Sequence, residues 1–225
     1  MNNLRGIMRR KPLQRAYYPG MNSDRLELIG TAAAGIAHDM NNQLLLIVNH
    51  LSLSSGARDI EAAQRAAERC SALTASLLAY CKGVPIELSS TNPAAFLRNF
   101  VTQLRLPEGI DLQLNVPALL PAITADPLAL TRALTNLISN ACDAMDGRGT
   151  LRITASPRAI EVSDSGPGIP PDCCSRIFDP FFTTKGTRGT GLGLSIVREL
   201  MRQQGGFVTV HSEPGRGAQF TLRFR

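Results

Sequence analysis

The chain has 225 residues, of which 44% are hydrophobic and 19% charged, and this balance indicates a globular protein of one or two domains. Its net charge of +6 is concentrated at one end. Residues 1–25 hold six basic side chains and one acidic one, whereas the other 200 residues hold 18 basic and 17 acidic ones. The body is therefore almost neutral, so we predict no nucleic-acid-binding face and a disordered basic arm at 1–25.

No apolar run approaches the ~20 residues that a membrane-spanning helix needs, and the basic N-terminus lacks the apolar stretch of a signal peptide. The five cysteines are an odd number without metal-ligand spacing. We therefore expect a cytoplasmic protein with reduced thiols and no transmembrane segment.

Residues 26–84 are predicted to form two helices. Apolar residues recur at helical spacing from Leu26 to Leu53 and again from Ala63 to Cys81, separated by the polar stretch 54–59. Such a pair forms an antiparallel hairpin. Each helix has an apolar stripe wider than a lone hairpin covers, so we expect a homodimer with a four-helix bundle. The alternative is that the hairpin docks onto the rest of the chain.

A linker is predicted at 85–92, and the pattern from 93 to 225 indicates a mixed α/β domain. Asp126 followed by Pro127 is typical of a helix start. The predicted elements are helices at 93–104, 127–145 and 192–204, strands at 111–116, 122–124, 150–156 and 159–163, and a terminal hairpin of 207–212 with 219–224.

The helix 127–145 carries Asn136, Asn140 and Asp143 at spacings of i, i+4 and i+7, so all three project from one face. A polar line on an otherwise apolar helix is costly unless a partner satisfies it. Hydrated Mg²⁺ with phosphate oxygens is one such partner. A structural asparagine ladder is an equally good explanation of this stretch alone.

Two glycine-containing segments follow. Asp164 ends a predicted strand before Ser-Gly-Pro-Gly-Ile, where its carboxylate can accept a hydrogen bond from an adenine amino group. The segment 189–194, Gly-Thr-Gly-Leu-Gly-Leu, leads into a helix whose free N–H groups favour phosphate. Neither a P-loop nor a Rossmann fingerprint is present.

Together these segments resemble, in order and spacing, the N, G1, F and G2 boxes of two-component histidine kinases. The F-box match is 177–185, Ile-Phe-Asp-Pro-Phe-Phe-Thr-Thr-Lys. The resemblance implies a GHKL (Bergerat) α/β sandwich with a mixed sheet, an ATP lid over about 166–190, and ATP and Mg²⁺ as cofactors. By position it implies that Asn140 ligates Mg²⁺, that Asn136 supports the triphosphate and that Asp164 reads adenine.

The nucleotide-binding residues that this resemblance implies are Asn136, Asn140, Asp143, Asp164, Gly166, Gly168, Ile169, Phe178, Thr184, Lys185, Gly189, Thr190, Gly191, Leu192, Gly193 and Leu194. For Lys185, a place near the γ-phosphate and a solvated position are both open.

Gyrase-like and chaperone ATPases resemble the same domain but have an acidic residue where this chain has Asn136. Asparagine cannot act as a general base at neutral pH, so the attacking group should be a side chain elsewhere. His38 lies about 200° around the predicted helix from the seam residue Met40, so it faces away from the apolar stripe. Asn42 shares that face, and Asp39 is placed to orient the imidazole.

The segment from His38 to Asn42, His-Asp-Met-Asn-Asn, resembles the H-box of the family in its hybrid-type variant. The resemblance implies that His38 is the phosphoacceptor, Asp39 its acid/base partner and Asn42 the group that positions water for dephosphorylation of a regulator. Only some 25 residues precede the first helix and no receiver sequence follows Arg225. We therefore expect a separate sensor protein and a separate response regulator with a receiver domain.

The leading hypothesis is a histidine kinase that autophosphorylates His38 from Mg·ATP and transfers the phosphoryl group to a regulator aspartate. One alternative is a net phosphatase for which ATP is a conformational ligand. The other is a non-enzymatic scaffold that docks regulators. The complete set of glycines and both asparagines argue against the scaffold, since a protein without use for ATP has no physical need for them.

Overall fold

The computed structural model describes residues 86–186 and 189–225, together with positions 42, 44–49, 51, 60–64, 66, 67 and 70. The positions described between 42 and 70 are all helical, and they fall in or next to the two predicted helices. The rest of the predicted hairpin and the arm 1–25 lie outside the described residues, so the pairing of the two helices stays a prediction. Within the described ranges, no helix is both long and apolar enough to cross a membrane.

A five-stranded mixed sheet is the frame of residues 86–225. In chain order the elements are β1 (Ser89–Thr91), α1 (Pro93–Gln103), β2 (Gly109–Asn115), β3 (Ile123–Ala125), α2 (Pro127–Ala144), β4 (Arg148–Ser156), β5 (Ala159–Asp164), α3 (Pro171–Cys174), α4 (Gly193–Gln203), β6 (Phe207–Ser212) and β7 (Ala218–Arg223). The strand order is β2-β4-β5-β7-β6, and only β2 and β4 run parallel. Strands β1 and β3 form a separate antiparallel pair.

The core lies between one face of the sheet and the helices. In β4, Leu151 and Ile153 are fully buried whereas Arg152 between them is exposed, as expected for a sheet with one solvated face. Helix α2 contributes Leu134 and Leu137 to the same core, and α2 and α4 pack against each other. The predicted α/β sandwich with a mixed sheet is confirmed for this part of the chain.

The structure adds two short elements. Strand β1 lies inside the segment predicted as a linker, where it pairs with β3. Helix α3 has only four residues. Neither carries a periodic apolar pattern, because three or four residues are too short to show one and their partners lie elsewhere in the chain. The remaining predicted elements are present with ends that agree or are shifted by at most two residues.

Asp126 joins three parts of the domain. Its Oδ1 caps α2 by accepting hydrogen bonds from the N–H groups of Leu128 (2.8 Å) and Ala129 (3.2 Å). Its Oδ2 accepts from the Glu87 N–H at 2.8 Å, and its own N–H donates to the Gln204 Oε1 at 2.9 Å. The residue is only 4% exposed. The chain entering β1 and the start of α2 are therefore tied to the buried Asp126 carboxylate, and the end of α4 is tied to the N–H of the same residue.

Replacement of Asp126 by alanine should lower the free energy of unfolding by about 2–3 kcal/mol, because a helix cap is lost and a partly buried N–H is left unpaired. Asp126→Asn keeps the capping oxygen but turns the group facing Glu87 into a donor, so its effect should be smaller. Urea unfolding measures both. The control is Asp111→Ala on an exposed strand position, expected within about 0.5 kcal/mol of the parent chain. Equal losses in Asp126→Ala and Asp111→Ala would contradict the role of Asp126.

Candidate functional site

A cavity of about 430 Å³ opens between α2, the end of β5 and the segment that leads to α4. It brings together most of the residues singled out in the sequence. Those that line it are Asn136, Asn140, Asp143, Asp164, Gly168, Ile169, Thr184, Lys185, Gly189, Thr190, Gly191, Gly193 and Leu194. Three stretches of the chain, 136–143, 164–169 and 184–194, which are at least 15 residues apart, therefore share one site.

Gly166, Phe178 and Leu192 were also predicted as site residues but do not line the cavity. Gly166 supports the site from behind, because its N–H donates to Asp164 Oδ1 at 2.9 Å. The Phe178 ring packs edge-on against Phe220, with centroids 6.3 Å apart. Leu192 is 1% exposed and belongs to the packing beneath the start of α4. Each of these three residues therefore supports the cavity through packing or hydrogen bonding and does not line it.

The amide face of α2 forms one wall. The Asn136 side-chain N–H₂ donates to the Arg132 carbonyl at 2.9 Å, which directs the other side of that amide toward α4. A Cβ on Gly193 would lie 3.2 Å from Asn136 Oδ1 and 3.6 Å from Asn140 Nδ2. The absence of a side chain at Gly193 thus lets the N-terminus of α4 approach both amides.

Asp164 forms the opposite end of the cavity. Its Oδ1 accepts hydrogen bonds from the N–H groups of Gly166 (2.9 Å) and Ala218 (3.3 Å). Among the described residues no other group donates to this carboxylate, so Oδ2 stays available to a ligand. Burial raises the pKa of the Asp164 carboxyl above its usual range, and the two backbone hydrogen bonds oppose this shift.

The loop after Asp164 is held by the turn between β6 and β7. The Ile169 N–H donates to Ser212 Oγ at 2.8 Å, and that hydroxyl donates to the Gly217 carbonyl at 2.7 Å. The Gly215 N–H donates to the Pro167 carbonyl at 2.7 Å. Because these bonds involve the backbone of the loop, they set the shape of the cavity floor.

Within the predicted lid, Phe181 and Gly191 meet before the start of α4. The Phe181 N–H donates to the Gly191 carbonyl at 2.9 Å, and both residues have positive φ, 67° and 65°. A Cβ on Gly191 would overlap the backbone of Phe181, so only glycine fits at this contact. Residues 187 and 188 lie outside the described chain.

Lys185 joins the lid to α2. Its Nζ lies 2.8 Å from Asp143 Oδ2 and donates to Asn140 Oδ1 at 3.2 Å. Two oxygens thus converge on one positive charge. Magnesium binds oxygen ligands and keeps several waters, so a pair of side-chain oxygens that already accommodates a cation suits it chemically. No cluster of three or more His, Cys, Asp or Glu side chains is found in the part of the chain that the structure describes.

The cavity also has walls that the sequence motifs did not indicate. Ala218 and Phe220 come from β7, and Cys173 comes from α3. These residues are apolar or small and form no recognisable motif. Their proximity to the cavity depends on strand pairing. Ser139 and Ala144 also line the cavity, and because they flank the polar face of α2 their positions follow from the helical spacing.

The predicted phosphoacceptor region is described in part. Asn42 is helical and half-buried, and it makes contacts of its own. His38 and Asp39 lie outside the described residues, so their predicted roles stay predictions.

Residues 125–225 match the family model described as histidine kinase-, DNA gyrase B- and HSP90-like ATPase. Two curated relatives are the sensor kinase CckA of Brucella abortus and the sensor histidine kinase ZraS of Salmonella typhimurium, each 35% identical to this chain. The matches cover 89% and 88% of the chain, but only 24% of CckA and 46% of ZraS. The chain thus spans less than half the length of these relatives.

Solved histidine kinases have a similar structure. The catalytic domain of ThkA is 31% identical with a TM-score of 0.51, over 61% of this chain and 97% of that domain. ThkA in complex with the response regulator TrrA is 25% identical with a TM-score of 0.74, over 90% of this chain and 63% of ThkA. ShkA in complex with AMPPNP is 26% identical with a TM-score of 0.62, over 89% of this chain and 45% of ShkA.

A glycine pair in the β6–β7 turn tests how the cavity floor is held. Gly217 has a φ of +81°, and a Cβ there would overlap the main-chain carbonyl of Asp164. Gly217→Ala should therefore lower the free energy of unfolding by about 3 kcal/mol or more. Gly215 has a φ of +79° but nothing within 4 Å of a built Cβ, so Gly215→Ala should cost only about 1–2 kcal/mol for the left-handed backbone.

Urea unfolding of the two alanine variants provides the comparison, since both carry the same backbone penalty. A loss in Gly217→Ala no greater than that in Gly215→Ala would show that the turn does not press against the strand that carries Asp164.

Proposed function

The chain belongs to the two-component histidine kinase family, and we propose that it is an ATP-dependent protein histidine kinase that phosphorylates its own His38. We further propose that it passes the phosphoryl group to an aspartate of a separate response regulator and also dephosphorylates that regulator. The observation that carries the proposal is the convergence of Asn140, Asp164 and Gly193 on one cavity. The AMPPNP bound by ShkA and the regulator bound by ThkA support the two ligands proposed here.

Asp164 is the proposed adenine contact. Its Oδ1 is used by two backbone N–H groups, and Oδ2 is positioned to accept a hydrogen bond from the adenine amino group. Gly168, with a φ of +76°, and Ile169 shape the adjoining floor. A flat apolar ring suits this end, since Ile169, Ile177 and Phe220 line it.

The proposed triphosphate region lies between the amide face of α2 and the start of α4. The backbone from Gly189 to Gly193 lines the cavity for most of its length, and free N–H groups at a helix N-terminus attract phosphate. Asn140, with Asp143 beside it, would hold Mg²⁺, and Asn136 would contact the phosphates. Bound Mg²⁺ supplies neutralisation of the negative charge on the phosphate oxygens.

Asn136 occupies the position where a residue that activates water would have to stand. An amide cannot remove a proton from water, so water is a poor nucleophile beside this helix. We propose that an imidazole nitrogen of His38 attacks the γ-phosphorus, that the bond to ADP breaks with its electron pair going to ADP, and that Asp39 accepts the imidazole proton. Asn42 would position the water that hydrolyses the aspartyl phosphate of the regulator, which releases inorganic phosphate and the free carboxylate.

The chain is proposed to form a homodimer of multidomain subunits. We propose the division 1–25 arm, 26–84 hairpin, 85–92 linker and 93–225 catalytic domain, with the end of the linker joined to the domain through β1. Several large apolar side chains at helical positions are 40–59% exposed, which supports a homodimer through the hairpin. They are Leu44, Leu45, Leu46, Val48, Leu51 and Ile60.

Incubation with γ-labelled ATP should give an acid-labile, alkali-stable label on the parent chain and none on His38→Ala, because a phosphoramidate forms at nitrogen. The measurement is label per chain after acid and alkaline washes. His211→Ala is the matched control, since His211 is exposed on β6 and does not line the cavity; it should keep the label. Label that persists in His38→Ala would remove that residue from the proposed role.

Asp164→Asn should weaken ATP binding by roughly 10–100-fold, because a charge-assisted hydrogen bond is replaced by a contact between two donors. Equilibrium dialysis with labelled ATP measures the affinity. The variant keeps an oxygen for the N–H groups of Gly166 and Ala218, so its fold should be retained. Asp172→Asn, at an exposed position outside the cavity, should bind ATP as the parent does. Equal affinities in both variants would contradict the adenine contact.

The stability of Asp164→Asn should also differ from that of the parent chain in its dependence on pH. Because burial raises the pKa of Asp164, the stability associated with its protonated form is fully present below about pH 4 and is lost as the pH rises through the higher folded-state pKa. Asparagine does not titrate. The free energy of unfolding of Asp164→Asn, relative to the parent chain, should therefore increase from pH 4 to pH 7. A constant difference over that range would contradict the burial effect.

A further inference from the structure

The contact between Lys185 and α2 places a positive charge on the oxygens proposed to hold a metal. We propose that the Lys185 ammonium and a divalent cation bind Asn140 and Asp143 alternately, so that Lys185 keeps the divalent cation out until a nucleotide brings both its metal and its own negative charge. This inference rests on the proposed function, since it concerns the same cavity. It assigns to Asp143 the role of holding the lid lysine, in addition to any contact with the metal.

Distances carry the first step. Lys185 Nζ lies 2.8 Å from Asp143 Oδ2 and 3.2 Å from Asn140 Oδ1. Magnesium binds oxygen at 2.0–2.1 Å, so an ion on either oxygen would lie within about 5 Å of Nζ. Charges of +1 and +2 at that separation repel each other, and the ammonium also uses lone pairs that the metal needs. Simultaneous occupation is therefore unfavourable.

Exposure carries the second step. The side chains of Lys185 and Asp143 are 32% and 57% exposed, so their ion pair contributes little to stability and can be exchanged at small cost. A buried pair would instead resist separation. The ion pair of Lys185 with Asp143 can therefore disfavour a lone divalent cation and can still be broken when a nucleotide binds.

The triphosphate changes the balance. It adds several negative charges to the cavity, which compensate the metal and offer the displaced ammonium a new partner. Metal and nucleotide should therefore bind with positive coupling, and Lys185 should increase that coupling by penalising the metal alone. Movement of Lys185 off Asp143 also breaks the contact between α2 and the described residues 181–186, so cation exchange should loosen this part of the chain at the same time.

Mn²⁺ binding to the full chain without nucleotide tests this inference directly. The free Mn²⁺ signal in electron paramagnetic resonance reports the bound fraction. Lys185→Met should bind Mn²⁺ about tenfold more tightly than the parent chain, since one nearby positive charge is removed. Lys185→Arg, which keeps the charge, should resemble the parent. Arg216→Met is the charge-matched control, because Arg216 is 80% exposed and paired with Glu213 away from α2, and it should also resemble the parent.

Equal Mn²⁺ affinities in the parent and Lys185→Met would overturn the inference, and so would a tightening that Arg216→Met reproduces. The outcome is independent of the proposed function, because ATP binding by the parent chain in the presence of Mg²⁺ is measured separately. Failure of that binding would refute the proposed function, whereas the Mn²⁺ comparison refutes only the role of Lys185.

Hydrogen exchange supplies a second readout. In Lys185→Met and in Asp143→Asn, the N–H of Phe181, which is bonded to Gly191, should exchange several-fold faster than in the parent chain when no nucleotide is added. The N–H of Gly215, in the β6–β7 turn, should be unchanged. Unchanged exchange at Phe181 in both variants would show that Lys185 does not hold the lid and would overturn the inference.

Discussion

Helix α2 has to bury one side in the core while it presents amides to a cavity on the other, and the arrangement of the site depends on this constraint. The helical repeat separates the two sets: Leu134 and Leu137 are fully buried, whereas Asn136 and Asn140 face the cavity. Asp126 caps the start of the helix and binds the preceding segment through Glu87. A shift of α2 would move the amides of Asn136 and Asn140 and would at the same time break the hydrogen bond between Asp126 and the Glu87 N–H.

The two ends of the cavity are built differently. At the Asp164 end, hydrogen bonds from the backbone of Gly166 and Ala218 and the Ser212 hydroxyl hold the floor, and a clash-sensitive glycine packs behind it. At the other end, an exposed ion pair of Lys185 joins the lid to α2. This difference between the two ends fits the proposal that the Asp164 end holds the base while the triphosphate at the other end reaches His38.

Much of this architecture could be predicted from the sequence because its elements are locally determined. Asp126-Pro127 is sufficient to place the start of α2, and helical spacing is sufficient to put Asn136, Asn140 and Asp143 on one face. The glycine segments identified the ligand-facing loops for a related reason, since close backbone approach excludes a Cβ. The helical hairpin with its His38 rests on the same kind of pattern and stays a prediction.

Other features depended on contacts between distant residues. Strand β1 exists because β3 lies beside it, and Phe178 and Leu192 support the site because neighbouring elements cover them. The open question about Lys185 was whether it is solvated or engaged, and its partners on α2 lie 42 and 45 residues earlier. The sequence by itself determined which residues share a helix face and which loops need glycine, because these follow from local backbone geometry. Only the tertiary structure decided which of them meet across the cavity, because that follows from strand pairing and from the packing of α2 against α4.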